Sequence, residues 1–268
     1  MNQHRANNPG YDKPPWKEET GGVRAVERAA DILACLGKND FSLSEISKEV
    51  GLNKATVFRM LVSLERKGFV TKNSNTGKYS LDWGLLGLLS GALNRNKGLV
   101  KCAHPYMEKL WEHTGETITL YIRKGFERLC IAELPSPHPL KYTVGIGVTV
   151  PLYAGSPGKL LLAYLHPAEL EEVLNQIELI ALTKRTITDK QKFLKELELI
   201  RKRGWATSFG ERIEGVSSLS VPVTDRGNKV VASINILGPF IRVGEERLMG
   251  YLDMLKEVGC EISNRLVL

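Results

Sequence analysis

The sequence predicts an α+β chain: an N-terminal winged helix-turn-helix joined by a linker helix to a domain of antiparallel sheet flanked by helices. Three observations carry this. Phe41 to Lys67 has the caps and turn of two short helices, and two short strand patterns follow it. Beyond residue 115 the apolar period falls to two over several segments. These strands and helices follow one another without regular βαβ alternation, which indicates an antiparallel rather than a parallel sheet.

Residues 1–22 are polar and rich in turn formers, with Pro14-Pro15 and Gly21-Gly22, and read as a loose arm. A first helix is marked from Val23 to Gly37 by Val26, Ala29, Ala30, Leu33 and Leu36. Ser42 and Glu45 have capping-box spacing, so a second helix starts at Leu43 and ends at Gly51. Asn53 can cap a third helix, with Leu52 and Val57 placed as a hydrophobic staple. Val57, Met60, Leu61 and Leu64 form its buried stripe, and Ala55, Thr56, Arg59, Val62, Ser63 and Arg66 face away. Phe69 to Lys72 and Lys78 to Leu81 read as a hairpin around a turn-rich tip. In this arrangement the third helix enters a DNA major groove and the hairpin is a wing. A plain helical hairpin is the alternative.

Charge placement bears on that choice. Gly51 to Ser80 holds six basic residues (Lys54, Arg59, Arg66, Lys67, Lys72, Lys78) and one acidic, Glu65, a net of +5. Such a face attracts phosphates and releases counterions on binding. Over the whole 268 residues the net charge is +7, so the local concentration is the informative part. The apolar share of 43% and charged share of 25% are ordinary for a soluble globular protein, and the length suits two modest domains. Four widely spaced cysteines suggest neither a zinc site nor a disulfide framework. With no signal peptide or membrane span evident, a cytoplasmic protein is expected, with no membrane partner.

Leu81 to Asn94 is apolar almost all round, too short to span a bilayer, and therefore needs burial. Its partner is either the same helix of a second subunit or its own domain. A separate helix is expected from Lys97 to Thr114, started or kinked by Pro105. Domain boundaries follow: arm 1–22, winged module 23–82, linker and dimerisation helix 83–95, and C-terminal domain 96–268.

In the C-terminal domain, strands are expected over Thr117–Ile122, Phe126–Leu134, Leu140–Val144, Gly215–Val223 and Lys229–Leu237. Gly155-Ser156-Pro157-Gly158-Lys159 opens an apolar helix, another spans Pro167 to Asn175, Thr188 and Gln191 form a capping box for a third, and a long helix ends the chain. The glycine turn fits neither a Walker A motif nor a nucleophile elbow. Its backbone N–H groups suit a carboxylate, or serve as an ordinary helix cap. Ser218 and Ser220 share one sheet face, as do Ser233 and Asn235, forming either a solvated face or the polar floor of a ligand pocket. The five histidines lack metal-ligand spacing, and no catalytic constellation stands out, so neither metal, cofactor nor enzyme activity is expected.

VERAADILACL, LSEISKEVGLNKATVFRMLVSLERKGFV, GETITLYI, AGSPGKLLLAYL, RGWATSFGERIEGVSSLSVPV and DRGNKVVASINILGP occur in one order and spacing. In this the chain resembles the IclR family of bacterial transcriptional regulators, over essentially all of Val23 to Leu266. The resemblance implies a GAF-like effector-binding C-terminal domain, and dimers or dimers of dimers that bind double-stranded operator DNA and answer to small organic molecules. By position, Lys54, Thr56 and Arg59 match the family's groove contacts. Gly158, Ser208, Ser218, Ser233 and Asn235 match its effector pocket. Ser208-Phe209-Gly210 precedes Glu211 where many relatives have an acidic residue sooner, and Asn235 stands where serine is common, so the ligand is not transferable from a relative. A ligand-independent architectural DNA-binding protein and a DNA-binding domain fused to an enzyme are the alternatives.

Overall fold

The computed structural model describes residues 22–266, without the side chains of 89–97, so the expected arm falls almost wholly outside it. The chain divides into two compact units at 96/97. In the first, α1 (Arg24–Leu36), α2 (Leu43–Glu49) and α3 (Lys54–Arg66) enclose a core that includes Ile32, Leu36, Ile46, Val57, Leu61 and Leu64. The local signals act as the sequence predicts. Glu45 N–H donates to Ser42 Oγ while Ser42 N–H donates to Glu45 Oε2 at 2.7 Å. That bond to the Ser42 backbone holds the Glu45 carboxyl below its ordinary pKa. Gly51 takes a left-handed φ of 66° that a side chain would strain. Asn53 Oδ1 accepts the Thr56 N–H at 2.8 Å, and Leu52 packs on the cluster that holds Val57.

The wing is β1 (Val70–Lys72) paired antiparallel with β2 (Tyr79–Leu81), Val70 opposite Leu81. Its tip is organised by Asn73, whose side chain accepts the N–H groups of Asn75 and Thr76. An isolated bridge from Phe41 to Tyr79 ties the hairpin to the approach of α2.

After the wing the sequence separates two helices, but the structure has one, α4 (Gly84–Thr114), of 31 residues with Pro105 inside it. Proline removes a single N–H, and the helix continues because Ala103, Tyr106, Met107 and Leu110 are buried against the second unit's sheet.

That sheet has six antiparallel strands in the order β5-β4-β3-β8-β7-β6. They are β3 (Thr117–Lys124), β4 (Glu127–Leu134), β5 (Thr149–Pro151), β6 (Ala206–Phe209), β7 (Val216–Thr224) and β8 (Val230–Pro239). Two of these, β5 and β6, are not expected from the sequence. The expected strand Leu140–Val144 is irregular instead. Side chains bind its backbone in place of a ladder: Thr117 Oγ1 donates to Tyr142 O at 2.8 Å, and Glu133 accepts the Val144 and Gly145 N–H groups at 2.7 and 2.8 Å.

One sheet face is apolar. Ile118, Leu120, Leu219, Val221, Ile234 and Ile236 pack with α4, α8 (Glu245–Gly250) and α9 (Leu252–Arg265). The expected long terminal helix is thus broken at Tyr251. The other face carries α5 (Ser156–Ala163), all eight residues of which are buried, with α6 (Pro167–Gln176) and α7 (Lys190–Arg203) completing a second cluster. The cap of α7 is Asp189, not the expected Thr188: Asp189 Oδ1 accepts the Lys192 N–H at 2.7 Å. A carboxylate also complements the positive end of the helix.

Leu61 is fully buried among α1, α2 and α3. Leu61→Ala is expected to lower the stability of the winged module by about 2–5 kcal/mol, read from urea denaturation.

Candidate functional site

On the first unit, the six basic residues between Gly51 and Ser80 are all exposed. Lys54 and Arg59 project from α3, while Thr56 is half-buried with its N–H held by Asn53. Lys72 and Lys78 flank the wing tip, and Lys72 Nζ lies 5.4 Å from the Tyr79 ring centre. The buried stripe of Val57, Leu61 and Leu64 fixes which side of α3 points outward.

The second unit holds a cavity between the polar sheet face and the start of α5. Its floor is Thr119 and Tyr121 of β3, Arg128 of β4, Ser218 of β7 and Asn235 of β8, and Gly155 and Pro157 close one side. Tyr142, Val144, Arg212 and Ile213 enter from loops. Of the expected residues, Ser208, Ser218 and Asn235 line it, and Ser233 and Gly158 do not. Ser233 acts behind the wall, its Oγ donating to Asn235 Oδ1 at 2.7 Å. Gly158 is a packing glycine: a Cβ there would overlap the Leu152 carbonyl and the Arg128 guanidinium. The alternation on β7 and β8 therefore marks a buried polar floor, since Ser218, Ser220, Ser233 and Asn235 are all buried.

This polar floor is ordered by its own hydrogen bonds. Ser220 Oγ donates to Ser156 Oγ at 2.6 Å, and Ser156 Oγ donates to Ser218 Oγ at 2.7 Å. Asn235 Nδ2 donates to Thr119 O at 3.0 Å and Ser233 O at 3.1 Å. At the glycine turn, the Gly155 N–H is already taken by Glu211 Oε2 at 3.1 Å. Positive charge reaches the cavity instead from Arg128 and Arg212, which sequence reasoning missed. Arg128 is 2% exposed, bonds the Pro151 carbonyl, and lies 5.3 Å from the Tyr121 ring centre. Arg212 lies over Tyr142 at 5.4 Å. Among the described residues no acidic side chain lines the cavity. Burial pushes the Tyr121 phenol well up and the Cys130 thiol up to about 12, so both stay protonated at neutral pH.

Within α5, Lys159 Nζ meets Glu211 Oε1 at 2.5 Å and Glu196 Oε1 at 3.3 Å, and Arg203 reaches the same Glu196 oxygen at 3.2 Å. Arg203 also stacks on Trp205 at 4.0 Å. Among the described residues no cluster is placed to hold a metal ion, and no helix is long and apolar enough to cross a membrane.

A basic winged module and a separate sheet domain with a polar cavity are the two parts of a DNA-binding transcriptional regulator. A family model described as the IclR helix-turn-helix domain matches residues 25–74, and one described as the bacterial transcriptional regulator IclR C-terminal matches 92–264. The HTH-type transcriptional regulator KdgR of Escherichia coli (strain K12) is 33% identical over 257 residues, covering 96% of this chain and 95% of that protein. BhcR of Paracoccus denitrificans (strain Pd 1222), also named an HTH-type transcriptional regulator, is 32% identical over 248 residues, covering 92% and 88%. The crystal structure of the Thermotoga maritima IclR superposes with a TM-score of 0.76 at 33% identity, covering 90% of this chain and 98% of that one. The chain belongs to the IclR family of bacterial transcriptional regulators.

Lys159 is buried, and its loss would take the cation from Glu211 and leave Glu196 with Arg203 alone. Lys159→Met is expected to cost about 3–5 kcal/mol of stability in thermal denaturation, with part of the loss recovered on adding Glu211→Leu.

Proposed function

We propose that the regulator binds operator DNA as a homodimer, or a dimer of dimers, through α3 and the wing, and that a small organic acid in the cavity controls this binding. Lys54, Thr56 and Arg59 are the groove residues. Ser208, Ser218 and Asn235 surround the ligand together with Arg128 and Arg212. The observation that supports the acid is the charge of the lining: among the described residues it has two guanidinium groups and no carboxylate. Gly158 and Ser233 contribute indirectly, by close packing and by orienting Asn235.

The proposal of a dimer helix rests on exposure at the start of α4. Trp83, Leu86 and Leu88 are 79%, 52% and 60% exposed, so these positions are not buried by their own chain. Gly84 meets the Gly68 carbonyl so closely that no Cβ fits between them, which anchors the root of the helix to the winged module. Two modules on a two-fold axis also match two half-sites of an operator. An acid shifts DNA affinity only through a difference in its own affinity for the DNA-bound and free dimers.

Arg59→Ala is expected to weaken operator binding by about 1–3 kcal/mol and to flatten its salt dependence, measured by titration at several salt concentrations. Unchanged affinity for every DNA would remove α3 from the interface. Leu86→Glu with Leu88→Glu is expected to give folded monomers in sedimentation, because an unpaired charge is not tolerated in a buried seam.

A further inference from the structure

We infer that α3 reads thymine by an apolar contact, with Phe58 seated against the 5-methyl group on the major-groove edge of the base; the inference rests on α3 being the helix that enters the groove. Phe58 lies in the first half of α3 and is 48% exposed. The core of the winged module takes another side of the helix, through Val57, Leu61 and Leu64. A phenyl ring left half in water forgoes much of the free energy that its burial would release. Phe58 is also not isolated. Ala55, which is exposed, and Val62, which is half-buried, stand one turn to either side of it, so the three form an apolar strip along one flank of α3.

The surrounding charge indicates what covers this strip. Lys54 precedes it, Arg59 is next to Phe58 in sequence and Arg66 stands at the far end, all exposed. The acidic residue of α3, Glu65, is two turns beyond Phe58, away from the end of a groove helix whose residues meet base edges. Lys72 and Lys78 of the wing add to the same positive field. The occupant is therefore a polyanion that offers an apolar group between its charges. On the major-groove edges that group is the thymine methyl, and the positions that mark the other bases are hydrogen-bond donors and acceptors. A phenyl ring pressed on the guanine acceptors or the cytosine amino group would desolvate polar atoms and leave them unpaired. Competing polar readout from the same helix is limited, since Ser63 spends its hydroxyl on the Arg59 carbonyl at 3.0 Å and Thr56 is half-buried. Phe58 thus favours thymine and disfavours a G·C pair at the position it covers, while the Arg59 guanidinium is suited to guanine O6 and N7.

Deoxyuridine in place of thymidine removes the 5-methyl group and leaves the base pair intact. A bound duplex is selected from a random-sequence pool with the full-length protein, then titrated with deoxyuridine at each thymidine in turn. The wild type is expected to lose about fourfold in affinity at one or two positions, the worth of one buried methyl group. Phe58→Ala is expected to bind the thymine duplex more weakly than wild type and to make no distinction between it and the uracil duplex, so the penalty at that position vanishes. Phe58→Leu, which keeps an apolar side chain, should retain part of the penalty, and Arg59→Ala should weaken both duplexes alike. Circular dichroism checks that each variant is folded, and the uracil scan of the wild type stands without any variant. A wild type indifferent to deoxyuridine at every position overturns the inference and leaves α3 in the groove. Phe58→Ala keeping the full penalty also overturns it, and a changed sedimentation of that variant would then make the strip a contact between copies of the chain. Failure to select any duplex, with Arg59→Ala binding DNA as the wild type does, overturns both the inference and the proposed DNA face.

Discussion

The architecture around the cavity depends on one buried lysine. Lys159 sits on the fully buried helix α5, and taking an ammonium group out of water costs several kcal/mol unless it is paired. Glu211 and Glu196 supply that pairing, and Arg203 balances the second carboxylate. The result joins three parts of the chain: α5, α7 and the loop after β6. Since Glu211 also takes the Gly155 N–H, the same carboxylate positions both the glycine turn and the loop that carries Arg212 and Ile213 into the cavity. Thr183 and Thr186 reinforce this loop, their hydroxyls donating to Gly210 O at 2.7 Å and Glu211 O at 2.6 Å. The cavity wall is therefore held by charge and hydrogen bonds as much as by apolar packing.

How much of this was legible in the sequence depends on the distance over which each interaction acts. The winged module could be read because its signals are local: Ser42 with Glu45, Asn53 with Thr56, and Gly51 in a left-handed turn. Interactions that span the chain could not be read in this way. Nothing near Lys159 announces Glu211, 52 residues away, and nothing near Arg128 announces the Pro151 carbonyl. Local reading also failed where two plausible signals stood side by side, as with Asp189 displacing Thr188 at the α7 cap. Around Pro105 the surrounding helix is held by packing on the sheet, which outweighs the one lost hydrogen bond.

The polar alternation on β7 and β8 shows a third kind of limit. Period two states that Ser218 and Ser220 share a face, but not what covers it. The cover is α5, from a distant segment, and its Ser156 hydroxyl links the two strand serines. An apolar helix over a polar floor requires that floor to satisfy itself, and the Ser233–Asn235–Thr119 bonds do so. The alternation therefore marks a buried polar floor and not a solvated surface.

Gly158 brings helix and backbone into contact with no side chain between them. Most positions in a core accommodate substitution by degrees, since neighbouring side chains rotate or shift. A backbone carbonyl has no rotamer to change. Alanine at 158 would have to displace the Leu152 peptide, or the whole of α5, and with it the Arg128 guanidinium. Mutational tolerance at this site is thus all-or-none. Any gradual reshaping of the cavity has to come from the residues that face it, because the helix that roofs it cannot be moved in small steps.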